Sequence, residues 1–407
     1  MGSIQTGKRK LATGTLQIEV ASSIADADAR EWDSLVTASS TAAPDCASGN
    51  PFLLHAFLRA LEESGSATAE TGWMPRHLLL RDVDDTLVGA LPCYLKSHSQ
   101  GEYVFDHGWA DAFERAGGRY YPKLQCSVPF TPATGPRLLA AKGEKRETWR
   151  RALLDGLEQV GEKLGISSAH ITFMPRDEWE LAGEAGYLLR TDQQFHWTND
   201  GFSGFEDFLA GLSSRKRKNI RKEREAALAG NGIEIDWLSG DRLTEEVWDR
   251  FFEFYMDTGS RKWGRPYLTR PFYSMIGETM AERIVLMMAR RDGRYIAGAI
   301  NFIGDGTLFG RHWGCIEDHP FLHFEVCYYQ AIDYAIAHGL KSVEAGAQGA
   351  HKLARGYLPV TTRSAHWIAH SGLRRAIEDY LHHERRQVEM ESEALKRHGP
   401  FRKADNP

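Results

Sequence analysis

The sequence predicts an α+β chain built from two similar domains, and three observations carry that prediction. First, Gly186-Tyr187-Leu188 followed by His196-Trp197 returns at identical spacing as Gly356-Tyr357-Leu358 followed by His366-Trp367. Second, two further signatures recur upstream in the same order. Leu87-Val88-Gly89-Ala90-Leu91 is echoed by Ile296-Ala297-Gly298-Ala299-Ile300, and Phe105 with Trp109 by Phe309 with Trp313. A period this long is not that of a solenoid and implies two copies of one domain, with the cleft between them as the expected place for a ligand. Third, each half passes from strand-like runs to a helix and back to a strand, which is an α+β order.

The elements follow in that order. In each half an apolar run ending in charge (His77 to Arg81; Ile284 to Arg291) meets a turn, Asp84-Asp85 or Asp292-Gly293, and a second apolar run, Leu87 to Leu95 or Tyr295 to Ile303. Each pair predicts a β-hairpin. A third strand is expected at Glu102 to Phe105 and at Thr307 to Phe309. A helix follows, with Trp149, Leu153, Leu157, Val160 and Leu164 in one half and Val326, Tyr329, Ile332 and Ile336 in the other falling three or four apart. Gly165 and Gly339 end these helices. Short strands are expected next, at Ala169 to Phe173 and Ser342 to Ala345, and the Gly-Tyr-Leu to His-Trp stretches close each half. The expected domains are residues 15–200 and 201–400, the second being the expected catalytic one. The first carries 39 additional residues around Gly117 to Ala141, whose proline and aromatic content argues for a packed surface loop rather than a regular element.

Composition narrows the class. The chain has 407 residues, 42% hydrophobic and 26% charged, which are globular values. No run of 18 uninterrupted apolar residues occurs, and the first 20 residues lack a signal-like apolar core, so a cytoplasmic protein without a membrane span is expected. Cys46, Cys93, Cys126, Cys315 and Cys327 are scattered without CxxC spacing and are expected as reduced thiols. A net charge of -5 gives no global attraction to polyanions, so any such partner needs a local patch.

One patch fits. From Arg215 to Arg224 there are seven basic residues against one acid, Glu223, on a helix that Ser213 or Ser214 could cap and that buries Leu209, Leu212, Ile220 and Ala227 on one side. Charge runs are commonly solvated faces. The single sign of this one points to phosphate contact by Arg217, Lys218 and Arg221, with tRNA, CoA or a nucleotide-linked substrate as the partner.

At this point the local strings resemble a known family. Asn50-Pro51-Phe52-Leu53, Gly72-Trp73-Met74-Pro75, the run Tyr94 to Asp106, Tyr120-Tyr121-Pro122-Lys123-Leu124, Leu322-His323-Phe324-Glu325-Val326-Cys327-Tyr328-Tyr329 and the run Gly346 to Gly356 are similar to those of FemAB-like proteins. These are N-acyltransferases labelled peptidoglycan biosynthesis/recognition, within the GNAT superfamily. The resemblance covers nearly everything from Asn50 to the last helix. It implies two tandem GNAT-like domains, each a mainly antiparallel sheet flanked by helices, with the basic helix between them. It further implies transfer of an acyl or aminoacyl group to an amine acceptor, a small molecule or a peptide, bound between the domains. Acyl-CoA is the expected co-substrate, with no tightly bound cofactor. The alternatives are an aminoacyl-tRNA-dependent Fem-type transferase acting on a peptidoglycan precursor, or a non-catalytic binding protein of the same fold. The chain departs from the acetyl-CoA pattern at Asp318-His319-Pro320-Phe321-Leu322-His323, which has no glycine where a pyrophosphate loop would place its bare amides.

Within the second half, Gly346 and Gly349 free the backbone to approach an anion. A helix from near Ala350 would aim amides and Lys352 at it, with Gln348, His351 and Arg355 beside it. Glu325 stands alone in an apolar and aromatic run. Burial would raise its pKa and suit it as general base for the acceptor ammonium, with Lys352 as its partner or as oxyanion stabiliser. Tyr328 is the expected acid for the leaving group. A core salt bridge at Glu325 is the plain alternative. His323 is a further substrate-contact candidate; it and His351 are not at metal-ligand spacing, so no metal is expected. In the first half Lys96, His98, Asp106 and Tyr121 are expected to bind substrate. His382-His383 lie on a terminal helix whose Leu373, Ile377 and Leu381 would pack inward.

Overall fold

Both expected hairpins form where apolar runs and turn residues coincide. His77–Arg81 pairs antiparallel with Leu87–Leu91, and Ile284–Arg291 with Arg294–Gly304. Asp85, Asp292 and Gly293 sit at φ 62°, 51° and 76°, the left-handed region that Asp and Gly enter at least cost. The computed structural model describes residues 16–40, 49–262, 266–346 and 349–402.

The chain forms two compact units. The first draws its described residues from Met1–Thr41, Phe52–Asp192 and Thr362–Val388, the second from Ala42–Pro51, Gln193–Thr361 and Glu389–Pro407. Neither is a contiguous stretch like the expected 15–200 and 201–400. The reason lies in the closing strands, Leu188–Thr198 and Leu358–Ile368. In the first unit Ser364–Ile368 of the later strand pairs antiparallel with Ser168–Thr172. In the second unit His196–Thr198 of the earlier strand pairs antiparallel with Ser342–Glu344.

Two strand sets build the first unit. Gln17–Ala21, His77–Arg81, Leu87–Leu91 and Leu139–Ala140 pair antiparallel throughout. Trp73–Pro75, Tyr94–Lys96, Lys123–Cys126 and Ser168–Thr172 form the other set, the last pair parallel. The amphipathic helix Arg146–Leu164 buries Ala152, Leu153, Leu154 and Leu157 against Leu78, Leu80, Val88 and Ile171. It stops at Gly165, whose φ of 59° makes the left-handed cap. Leu373, Ile377 and Leu381 of the helix Ser371–Arg397 pack on Trp109 and Tyr120 of this unit.

Three first-half expectations are corrected. Glu102 to Phe105 is no strand: Gly101 and Tyr103 at φ 78° and 60° break the extended backbone, and the third strand is Tyr94–Lys96. The extra segment is core rather than surface loop. It holds the strands Lys123–Cys126 and Leu139–Ala140, and residues 123–133 are buried throughout, because the aromatic and proline content fills space beside the sheet. Phe105 and Trp109 lie outside any strand, Trp109 being in the helix His107–Arg115, whereas Phe309 and Trp313 lie in the strand Thr307–Cys315.

The second unit orders Ile233–Leu238, Ile284–Arg291, Arg294–Gly304, Thr307–Cys315 and Ser342–Glu344, antiparallel except for the last pair. The predicted helix over Val326 to Ile336 is there, but its first part is irregular. After Leu322–Phe324, the turn Glu325–Tyr329 is π-helical before Gln330–Ala337 resumes as α-helix. Such insertions widen a helix locally and recur at functional sites. Val326, Tyr329, Ile332 and Ala335 face the sheet residues Val285, Met287, Ala297 and Leu308.

Candidate functional site

The basic helix spans Ser214–Ala227 and buries Ile220 and Ala227 as expected. Ser213 stands at the N-cap position, yet its side chain makes no capping bond. Among the described residues the side chains of Arg215, Lys216, Arg217, Lys218 and Lys222 make no hydrogen bond or ion pair, and all are exposed or half-exposed. Cations in the first turns of a helix face the positive end of its dipole, so this cluster costs stability unless an anion meets it. Arg221 is committed to Glu206.

Glu223 and Arg224 turn inward. Arg224 grips Glu325 with Nε at 3.1 Å and Nη2 at 2.8 Å, and the same Nη2 reaches Asp333 at 2.7 Å. Gln330 Nε2 donates to Glu325 Oε1 at 2.8 Å. Glu325 is fully buried, so burial pushes its carboxyl up while Arg224 opposes the shift. Both carboxylate oxygens are engaged, which is the arrangement of an anchor. The expected partnership of Glu325 with Lys352 is corrected: a bidentate guanidinium satisfies a buried carboxylate better than one ammonium, and Lys352 lies elsewhere.

Lys352 belongs to a six-residue 3-10 helix, Ala350–Arg355, rather than the expected α-helix. It is buried, and among the described residues the hydrogen-bond partner of its ammonium is the Gly346 carbonyl at 2.9 Å. Burial lowers its pKa to about 8; nearby Cys327 opposes that and Arg311 adds to it. His196 is held down to about 4 by burial and then by Lys352, and is neutral. Its Nδ1 lies 3.8 Å from Glu344 Oε1.

Beside Lys352, exposed His351 accepts or donates at Nε2 to the Tyr328 hydroxyl at 3.0 Å. Burial raises Tyr328 far above its ordinary value, so the phenol keeps its proton and is the donor in this pair. His351 is lowered by burial and by Arg355 and Lys352, consistent with a neutral acceptor. Phe324 stacks on Tyr328, His323 meets Tyr328 edge-on at 5.4 Å, and the Arg355 guanidinium lies 3.5 Å over the Phe324 ring. The second unit therefore gathers Lys352, Tyr328, His351, His323 and Arg355. Gln348 lies outside the described residues. Sequence reasoning missed His196 and the Glu223 and Arg224 contacts; the signal was Glu223 itself, the lone acid of the basic run.

The first-unit candidates assemble differently. Lys123 Nζ donates to Ser99 Oγ at 2.8 Å, Glu102 Oε2 at 2.7 Å and Asp106 Oδ2 at 2.5 Å. Lys96 Nζ lies 3.7 Å from Glu102 Oε1 and 3.6 Å above the Trp73 ring. Burial brings Lys96 down, and Glu102 up, to about 7. Burial would raise Asp106, but Lys123, by its charge and its hydrogen bond, pulls the carboxyl below the usual carboxylate range. Tyr120 donates to Asp106 Oδ2 at 2.7 Å, and Tyr121 shares a hydrogen bond with Ser99 at 2.8 Å. Lys96 and Asp106 are buried and present nothing to solvent; His98 and Tyr121 are half-buried at the edge. Lys96 and Asp106 are thus interior groups: Asp106 is held by Lys123 and Tyr120 through Oδ2, while Asp106 Oδ1 and Glu102 Oε1 have no hydrogen-bond partner among the described residues.

Among the described residues no group of His, Cys, Asp and Glu is placed to hold a metal ion, and no helix is long and apolar enough to cross a membrane. Cys93, Cys126, Cys315 and Cys327 are not in disulfides, and Cys46 lies outside the described residues.

Comparison with known proteins places the chain. No curated protein matches it significantly. Among solved structures it is similar to FemX, with a TM-score of 0.53 at 13% identity over 86% of this chain and 98% of that one. It is also similar to the C-terminal domain of a putative lysylphosphatidylglycerol synthetase from Agrobacterium fabrum, with a TM-score of 0.51 at 9% identity over 88% and 97%. A tandem GNAT protein of the clavulanic acid pathway matches at 15% identity over 87% and 98%, with a TM-score of 0.43. The α+β fold is therefore shared with FemX-like proteins. With its residues 23–403 matched by the model of that family, described as peptidoglycan biosynthesis/recognition, the chain belongs to the FemAB-like family.

Proposed function

We propose that the chain is an N-acyltransferase whose second unit transfers an acyl or aminoacyl group from a phosphate-bearing donor to an amine. The observation that carries this reading is Lys352, next in sequence to His351, which pairs with Tyr328; it is a buried ammonium whose hydrogen-bond partner among the described residues is the Gly346 carbonyl. As the amine nitrogen attacks the acyl carbon, Lys352 faces the developing oxyanion. The amine proton passes to the Tyr328 oxygen while the phenolic proton moves to His351 Nε2. Return of that proton through Tyr328 releases the leaving group as a free alcohol or thiol, so the C–N bond forms as the C–O or C–S bond breaks and charge balances. Glu325 holds the π-helical turn in place through Arg224.

Acyl-CoA and aminoacyl-tRNA both carry the phosphates that the basic helix suits. One observation favours the second donor. The turn before Leu322 offers Glu317 bonded to His319, an adjacent Asp318, and no glycine, so a pyrophosphate there would meet carboxylates instead of bare amides. The family description supports a cell-wall precursor as acceptor, with a cytoplasmic location following from that substrate. Calorimetric titration with acetyl-CoA and with charged tRNA, followed by mass spectrometry for amide product, tests the reading. Binding of one donor with product formation that Lys352→Met abolishes is expected; binding of neither sinks it in favour of a non-catalytic binder.

A further inference from the structure

The basic helix Ser214–Ala227 carries two sets of charges with separate commitments. Its outer set, Arg215, Lys216, Arg217, Lys218 and Lys222, makes no side-chain hydrogen bond or ion pair among the described residues. Its inner set is wired into the site. Glu223 Oε2 alone accepts from both the Tyr329 hydroxyl and Arg355 Nη2, the latter at 2.9 Å. Tyr329 ends the π-helical turn and follows Tyr328 directly. Arg355 ends the 3-10 helix and donates through Nη1 to the His351 carbonyl at 2.9 Å. A closed ring results: Glu223 to Arg355, Arg355 to the His351 backbone, the His351 ring to Tyr328, and the adjacent Tyr329 back to Glu223. The two halves of the Tyr328–His351 pair come from different elements, and one carboxylate oxygen spans both.

This ring exceeds what packing requires. Tyr329 and Arg355 are each pinned already, Tyr329 by the core around it and Arg355 by the Phe324 ring and the His351 carbonyl. Glu223 adds a rigid link from the helix backbone to the pair. A shift of the helix of a few tenths of an ångström changes the Tyr328–His351 distance, and proton transfer is steep in that distance. Neighbouring Arg224 repeats the link on the other side by gripping Glu325 at the start of the same π-helical turn.

We propose that Glu223 is a positioning residue, through which donor phosphates bound on the outer face of the basic helix set the geometry of the Tyr328–His351 pair. The inference rests on the transferase reading above for its phosphate-bearing donor.

The test follows the His351 ring by NMR titration, in the intact protein, with a short RNA hairpin or coenzyme A as probe. In the native protein, binding of the matching probe shifts the His351 titration midpoint. In Glu223→Gln the same probe binds within about twofold of native affinity while the shift is lost, and with a substrate pair kcat falls about tenfold at unchanged donor KM. Tyr329→Phe removes one arm of the link with little risk to folding and is expected to halve the shift. A full shift retained in both variants overturns the proposal, as does probe binding that leaves native His351 unmoved. Binding of neither probe overturns the phosphate reading and the inference with it. Response to RNA alone, or to coenzyme A alone, identifies which donor supplies the phosphates.

Discussion

His170 Nδ1 and His366 Nδ1 face each other at 2.7 Å inside the first unit, so one proton lies between two imidazoles. The neighbours fix its side. Asp106 is an ionised acceptor, so Tyr120 donates to it; the Tyr120 oxygen then accepts from His170 Nε2 at 3.2 Å, as does Ser168 Oγ at 2.9 Å, whose own proton goes to Ser167 Oγ. His170 Nδ1 is therefore bare and accepts from His366, whose Nε2 accepts from Ser364 Oγ at 3.0 Å. Every donor from Ser364 onward points toward Asp106.

This pair predicts acid lability. Burial, with Lys123 adding to it, holds His170 near 3, and His366 is lowered in the same direction by burial and His170. The unfolded chain binds more protons between about 3 and the ordinary 6.5, so stability is present above pH 6.5 and lost as pH falls toward 3. Urea unfolding from pH 7 to 4 should show a loss on the order of 2–4 kcal/mol, and a flat profile would refute the neutral pair.

Lys123→Met strands Glu102 and Asp106 without their shared cation. A loss of about 3–5 kcal/mol is expected from chemical denaturation. The triple change adding Glu102→Gln and Asp106→Asn should recover most of it; failure to recover would mean that Lys123 acts through its packing.

For Lys352→Met the two readouts should part. Transfer is expected to fall about 100-fold or more, while stability at pH 7 holds or rises because a buried ammonium is gone. The folded pKa near 8 lies below the ordinary 10.5, so the native protein should gain up to about 3 kcal/mol between pH 8 and 10.5. The Lys352→Met variant should lose that slope, and an unchanged slope would assign it to another group.

Glu325→Gln distinguishes anchor from base. An anchor loses about 1–3 kcal/mol of stability by leaving Arg224 half-paired, with kcat changed less than tenfold. A drop of about 100-fold or more in kcat at native stability would instead restore the general-base role.

Much of the architecture was legible because hydrophobic periodicity and turn residues act locally. The hairpins at Asp85 and Asp292, the helix ending at Gly165 and the short strands needed only their own stretches of sequence. What escaped depends on distant partners. Lys123–Cys126 looks like loop because its flanking prolines outvote a four-residue strand, and pairing with Tyr94–Lys96 and Ser168–Thr172 makes it one. The apolar run around Glu325 implies a buried carboxylate, which it is, but its partner is 101 residues away on a helix whose other cations face solvent. Nothing in a charge run distinguishes the one arginine that turns inward.

The exchanged closing strands bear on how the protein is made. Residues 362–388 belong to the first unit, together with residues that leave the ribosome hundreds of positions earlier. Until that late segment emerges, Ser168–Thr172 has an open edge and Trp109 lacks the helix residues that cover it. A duplicated sequence thus yields two units that cannot mature one after the other. Synthesis must pass residue 388 before the earlier half can close, and until then the nascent first half leaves that strand edge and Trp109 uncovered.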